Sequence, residues 1–279
     1  MARGHPDPRG VGSEAARRFS QLSGGNDGSG GRRERFHRAG GAPLAKGLDR
    51  ARVLESPGAL ARAAADEFFR RGREAIAARG RFRVALSGGG TPKKTHAEIV
   101  LRRDDLDWAA LEIFWGDERS VPPEDPQSNY RMARETLLSL VPIPAANVHR
   151  WPAELAPENA ANAYEEELDR RLGNDGLDLV FLGIGDDGHT ASLFPGTAAL
   201  EVRDRRAAAN FVPAFDRWRL TLTYVALEAA RAVLFLVEGQ AKAPVVRRLK
   251  DGEDLPASRV RSPETIWLLD RAAAGDTIP

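Results

Sequence analysis

Phe82-Arg83-Val84-Ala85-Leu86-Ser87-Gly88-Gly89-Gly90-Thr91-Pro92 joins a short apolar run to a glycine loop and then to a proline suited to the first turn of a helix. The same pattern recurs along the chain. Apolar runs too brief for helices, most of them rich in β-branched or aromatic residues, occur at Phe82–Leu86, Leu111–Trp115, Leu177–Leu182, Arg219–Thr223, Ala232–Val237 and Thr265–Leu269. Between them lie helical patterns at Pro92–Leu101, Asn129–Leu140, Pro157–Leu172 and Gln240–Lys250. Ser56-Pro57 reads as a cap and first turn, and Leu60, Ala64, Phe68 and Ala75 mark one face of a helix running to about Arg79. Strands alternating with helices predict an α/β, Rossmann-like fold: a mainly parallel central sheet with helices on both faces.

The chain of 279 residues is 42% hydrophobic and 29% charged, enough to bury a sizeable core. It contains no cysteine, which excludes disulfide frameworks, thiolate metal sites and cysteine nucleophiles and suits a reducing, cytoplasmic setting. No apolar run approaches the ~20 residues that span a bilayer, so no membrane partner is expected. Residues 1–46 hold ten of the 27 glycines, nine basic residues and four acids, without hydrophobic periodicity. They read as a disordered Gly/Arg-rich tail ahead of a single α/β domain at 47–279. Of the 41 basic and 40 acidic residues, 32 and 36 fall after the tail, leaving that domain at −4. Such a balance offers no field for nucleic acid. It leaves the oligomeric state open.

Open α/β sheets bind ligands beyond strand C-termini, which directs attention to three loops. In Ser87-Gly88-Gly89-Gly90-Thr91 the glycines permit close backbone approach, and Thr91 is placed to cap a helix beginning at Pro92. Free amides there suit an anion, although the Gly-Lys-Ser/Thr ending of a Walker loop is missing. Asp117-Glu118-Arg119 emerge directly after an apolar strand, and Ser128-Asn129 open a helix that brings Asn129 or Arg131 near the same crevice. Gly183-Ile184-Gly185-Asp186-Asp187-Gly188-His189 matches Gly-x-Gly-x-x-Gly, yet Asp186 and Asp187 would repel a pyrophosphate, which argues against a dinucleotide.

Those residues suit proton transfer instead. In an extended loop Asp187 and His189 point to one side and Asp186 to the other, and a carboxylate beside an imidazole fixes its tautomer. No second histidine pair accompanies them, so no metal is expected. A Gly-x-Ser-x-Gly elbow is absent as well. His5, His37, His96 and His149 lie in tail, helix or connection contexts and read as non-catalytic, while Trp108, Trp115, Trp151, Trp218 and Trp267 read as core.

Taken in order, these segments resemble the 6-phosphogluconolactonase family of the sugar-phosphate isomerase and deaminase superfamily. The likeness runs from about Ser56 to Ala273. It rests on Ser87-Gly88-Gly89, Asp117-Glu118-Arg119 with Val121-Pro122, Ser128-Asn129-Tyr130, Asp187-Gly188-His189-Thr190-Ala191-Ser192-Leu193-Phe194-Pro195, Arg219-Leu220-Thr221, Gly239-Gln240-Ala241-Lys242 and Ile266-Trp267. The resemblance implies hydrolysis of 6-phospho-D-glucono-1,5-lactone in the pentose phosphate pathway, without redox cofactor or catalytic metal. It implies His189 as base and acid, Asp187 orienting it, and Ser87, Gly88, Gly89, Thr91, Asp117, Arg119, Asn129, Arg219 and Lys242 around the sugar phosphate. Two alternatives accompany this reading: an amino-sugar-phosphate deaminase or isomerase, and a non-catalytic sugar-phosphate-binding regulator. The comparable deaminase segment reads Asp-Gly-His-Ile-Ala-Phe-Asn-Glu-Pro, and Phe194 here replaces its glutamate, which favours the lactonase.

Overall fold

The computed structural model describes residues 45–276. Six strands form a parallel sheet: β1 (Arg52–Leu54), β2 (Phe82–Leu86), β3 (Leu111–Trp115), β5 (Leu179–Leu182), β8 (Ala232–Val237) and β9 (Glu264–Asp270). They lie side by side in the order β1-β9-β8-β5-β2-β3. Every residue of β2, β5 and β8 is buried, which is why these strands, apart from the ion-paired Arg83 of β2, read as apolar runs rather than alternating ones.

A second sheet of three antiparallel strands, β4 (Asp117–Arg119), β7 (Arg217–Leu222) and β6 (Ala207–Val212), stands in the order β4-β7-β6. The run around Arg219 is therefore a strand, but of this small sheet and not of the parallel one. Asp117–Arg119 is also strand, paired so that Asp117 faces Thr221 and Arg119 faces Arg219. Neither sheet membership nor a three-residue strand leaves a periodic trace in the chain.

Helix α1 (Pro57–Arg79) starts where Ser56 Oγ accepts from the Ala59 amide at 3.2 Å and ends at Gly80, whose φ of 72° only glycine adopts cheaply. Its small residues Ala61, Ala64 and Ala65 lie buried with Phe68 and Phe69, and it packs against β2, β9 and α2 (Gly90–Leu101). The Phe68 ring meets Phe82 edge-on at 5.3 Å, tying helix to sheet. Helix α2 begins at Gly90 and its cap is Gly89, without a side-chain cap, so Thr91 does not cap it as expected. The helix from Asn129 closes at Thr136 as α3 and continues as a separate 3₁₀ turn at Leu138–Leu140. Helix α4 spans Pro157–Leu172, the short α5 Tyr224–Ala229, α6 Ala243–Lys250 after a 3₁₀ turn at Gln240–Lys242, and α7 Arg271–Ala274.

Trp108, Trp115, Trp151 and Trp267 are buried, whereas Trp218 is 39% exposed on the outer side of the small sheet and departs from the core assignment. His96 and His149 are buried as well, His96 Nδ1 lying 2.7 Å from Thr136 Oγ1 and His149 stacked on Phe114. Burial lowers His96 to about 4, so it stays neutral. His5 and His37 lie outside the described residues.

Ala45 and Lys46, read as the end of the tail, pack on the domain. Ala45 is buried, Lys46 Nζ donates to the Ser262 carbonyl at 2.6 Å, and Trp267 Nε1 donates to the Lys46 carbonyl at 3.0 Å. The rest of the Gly/Arg-rich segment lies outside the described residues. A chain beginning at residue 52 should consequently melt about 5 °C or more below one beginning at residue 45, because it loses two side-chain hydrogen bonds and the burial of Ala45 and Leu48. Calorimetry of the two chains checks this.

Candidate active site

From β2 the chain turns one way into β3 and later returns on the other side through β5, β8 and β9. The connections diverge between β2 and β5, and such a divergence leaves a crevice beyond the strand C-termini. Ser87–Gly89 follow β2, Gly183–His189 follow β5, Gly239–Lys242 follow β8, and β4 lies just past β3. Together they enclose about 250 Å³, lined by Ser87, Gly88, Gly89, Asp117, Arg119, Asn129, Gly183, Ile184, Gly185, His189, Ala191 and Lys242. A larger cavity of about 530 Å³ lies around Lys46, Arg52, Glu67 and Glu264, where Arg52 pairs with Glu67 at 2.9 Å and none of the three ligand-binding loops reaches.

His189 is held by its own loop. Asp187 Oδ1 accepts from the His189 amide at 3.0 Å and lies 2.6 Å from Nδ1. The loop is a closed turn, not the extended segment expected: Gly188 N donates to the Gly185 carbonyl at 2.9 Å, and Gly185 N to the His189 carbonyl at 2.8 Å. A side chain at 185 would stand 2.1 Å from the imidazole, so glycine makes room for the ring. Burial pushes the Asp187 carboxyl up, yet the His189 amide and the charge and hydrogen bond of the ring outweigh it and hold the group below its ordinary value. Asp187 itself stands behind the ring and does not line the crevice. Asp186 points elsewhere, as expected, and pairs with Lys242 Nζ at 2.7 Å.

The opposite wall is built around two carboxylates. Asp117 accepts from Ser192 Oγ at 2.7 Å and from Asn129 Nδ2 at 3.2 Å, and Asn129 presses so close to Gly88 that a Cβ there would lie 1.9 Å from its Oδ1. Glu118 turns the other way, into the protein, where it is 2% exposed. It accepts from the amides of Arg119, Asn129 and Tyr130 at 2.7–2.8 Å and from Ser128 Oγ at 3.2 Å. Burial raises this carboxyl above its ordinary value against the pull of those amides.

Arg119 donates to the Gln127 carbonyl and faces Arg219 across the β4–β7 ladder. Burial, then the charge of Arg119, lower the Arg219 guanidinium. Arg219 does not line the crevice; it lies 5.8 Å from the Phe215 ring centroid. Thr91 stands outside the lining too, and Arg131 is turned away to Glu135 and the Glu124 carbonyl. Ser87 Oγ is buried and has no hydrogen-bond partner, although Ser87 lines the crevice.

Residues 55–267 match the family of glucosamine-6-phosphate isomerases/6-phosphogluconolactonase. The chain belongs to this family. It is 42% identical over 213 residues to the 6-phosphogluconolactonase of a Nostoc species, covering 72% of this chain and 87% of that relative. The solved 6-phosphogluconolactonase of Thermotoga maritima is 29% identical and superposes with a TM-score of 0.72 over 79% of this chain and 98% of its own. The Trypanosoma brucei 6-phosphogluconolactonase is similar, with a TM-score of 0.70 and 30% identity over 80% of this chain and 97% of its own.

The residues whose part in the site the sequence did not announce are those that hold others. Glu118, Ser192 and Ile184 all stand in motif-bearing segments; strand alternation turns Glu118 inward between Asp117 and Arg119, whereas no periodicity marks Ser192 or Ile184. Ala191 lines the crevice with φ of 48°, one of two non-glycine residues with positive φ among the described residues, a strain that collects at functional sites. Replacing Glu118 by Ala strands four buried donors, each costing about 1–3 kcal/mol, so Glu118→Ala should lose at least about 2 kcal/mol of stability and Glu118→Gln less. Urea denaturation of both variants measures it.

Proposed function

We propose that the crevice binds 6-phospho-D-glucono-1,5-lactone and hydrolyses it to 6-phospho-D-gluconate, the lactone-opening step of the oxidative pentose phosphate pathway, with His189 as the general base and then the general acid. The observation that carries this reading is the 2.6 Å contact between His189 Nδ1 and the Asp187 carboxylate at the wall of the crevice. A carboxylate at Nδ1 assigns the proton to that nitrogen and leaves the Nε2 lone pair for a water.

Water attacks C1 as Nε2 takes its proton, giving a tetrahedral intermediate. As the C1–O5 bond breaks, the imidazolium returns the proton to the departing ring oxygen, and the product carboxylic acid ionises. Positioned acid–base catalysis of this kind contributes about 10²–10⁴-fold. His189→Ala should keep its fold and lose most turnover. A coupled assay on freshly generated lactone, corrected for spontaneous opening, measures this, and turnover within about threefold of wild type would discard the assignment.

Asp187→Asn should lower kcat by leaving the ring poorly oriented. It also carries a pH signature. Because the folded-state pKa of Asp187 is depressed, its stabilising contribution is present above the ordinary carboxylate pKa and is lost as pH falls through the folded value. The stability gap between wild type and Asp187→Asn should therefore narrow in acid, as read from urea midpoints across a pH series.

The phosphate needs cations and amides. Helix α2 begins without a side-chain cap at the crevice, so its first amides are offered to an anion, and Arg119 lines the same space. The unpartnered Ser87 hydroxyl suits a substrate oxygen. Arg219 adds charge from behind Arg119, and Lys242 is partly compensated by Asp186. Arg119→Ala should weaken 6-phosphogluconate binding about ten- to a hundredfold, as expected for one lost charge-assisted bond. Arg219→Ala and Lys242→Ala should each cost about two- to fivefold. Titration calorimetry with 6-phosphogluconate and unphosphorylated gluconate tests this: equal affinity of the wild type for both ligands ends the phosphate assignment. No helix of the described residues is long and apolar enough to cross a membrane.

A further inference from the structure

Asp187 fixes where Nδ1 of His189 sits, but one hydrogen bond leaves the ring free to swing about the Nδ1···Oδ1 line, and with it the direction of Nε2. A second contact removes that freedom. The Phe194 ring stacks on the imidazole with centroids 4.0 Å apart and planes inclined by 27°. Phe194 is 6% exposed, so this stack covers the imidazole with a dry surface.

Phe194 is itself held twice by the β6–β7 hairpin. Its ring meets the edge of Phe215 at 5.6 Å and 82°. Its carbonyl accepts from Thr197 Oγ1 at 2.8 Å, and that hydroxyl accepts from Asn210 Nδ2 of β6 at 2.9 Å. The antiparallel sheet thus reaches the imidazole through an aromatic ring on one path and a hydrogen-bonded backbone on the other.

We infer that Phe194 is a positioning residue for the lactonase reaction, holding the His189 ring plane so that Nε2 faces the attacking water, with Phe215 as its buttress. This rests on the reading of His189 as the base. Phe194 does not line the crevice, so its contribution is to turnover and not to binding. An aromatic ring is required, because an aliphatic side chain of similar bulk offers no flat surface to match the imidazole plane.

The test measures lactone turnover and 6-phosphogluconate affinity in the full chain for His189→Ala, Phe194→Leu, Phe194→Tyr and the double variant His189→Ala/Phe194→Leu. ¹⁵N spectra of the imidazole are recorded for wild type and Phe194→Leu. Phe194→Leu should lower kcat on the order of ten- to a hundredfold, the cost of misplacing a catalytic group, while KM and 6-phosphogluconate affinity stay within about threefold. Phe194→Tyr should restore most of that loss. The ¹⁵N shifts should keep the single Nδ1–H tautomer, because Asp187 still holds that proton, so the lost turnover reports the plane of the ring and not its tautomer. In the His189→Ala background Phe194→Leu should cost nothing further, because Phe194 acts through the ring that is gone.

The inference is overturned if Phe194→Leu turns over like wild type, if it loses 6-phosphogluconate affinity in step with kcat, or if it costs as much without His189 as with it. Wild-type turnover by His189→Ala would instead overturn the assignment of His189 as base, and the role of Phe194 with it.

Discussion

The buried carboxylate of Glu118 ties strand β4 of the small sheet to the start of α3 beside the crevice. A helix N-terminus carries unpaired amides, and α3 starts inside the protein, where water cannot satisfy them. Glu118 reaches from β4 to the amides of Asn129 and Tyr130 and to the Ser128 hydroxyl, so the strand and the helix are locked together by one side chain. Because alternate residues of a strand face opposite ways, an inward Glu118 obliges Asp117 and Arg119 to face the other way. Asn129 is brought against Gly88 by the same anchor, and the glycine loop after β2 is thereby packed against the wall of the crevice.

The opposite wall follows a different logic. Its hydrogen bond to the imidazole is local: Asp187 is two residues away and the turn closes on itself. Such local geometry survives small movements of the sheets, since carboxylate and ring travel together. The charges are arranged with equal economy. Asp186 and Asp187 are adjacent and would repel one another if they shared a direction, but one faces Lys242 and the other His189. Arg119 and Arg219 stand as cross-strand neighbours of like sign, an arrangement that is unfavourable by itself and is relieved by an anion in front of it.

Much of the site was legible because it lies on loops tied closely in sequence to their strands. Ser87–Gly89, Asp117–Arg119 and Gly183–His189 each begin within a residue or two of a strand end. Knowing that the strands are parallel is then enough to bring them to one edge. Arg219 and Thr91 do not line the crevice themselves: one stands beside Arg119 across the β4–β7 ladder, and the other falls inside the first turn of α2, whose cap is Gly89. Phe194 gave away its position by replacing a glutamate, but nothing in the pattern showed that it would stack on the imidazole.

What the chain alone determined is the set of elements whose cause is local. The strands Phe82–Leu86, Leu111–Trp115 and Ala232–Val237 are mainly apolar runs, broken only by the Arg83–Glu112 pair, that must be covered on both faces, and the bounds of α1 and α4 are written in a proline at one end and a glycine at the other. The Asp187–His189 pair is local as well. Tertiary structure decided the rest. β6 reads Ala207-Ala208-Ala209-Asn210-Phe211-Val212, a run with weak strand preference, and is a strand because β7 supplies its hydrogen bonds; β4 is three residues long and exists through the same partner. Which sheet a strand joins and what Glu118 meets inside the protein depend on residues far apart in the chain meeting in space, as Arg52 and Leu268 do. Periodicity records the environment of each residue along its own element, not the identity of the neighbour that provides it.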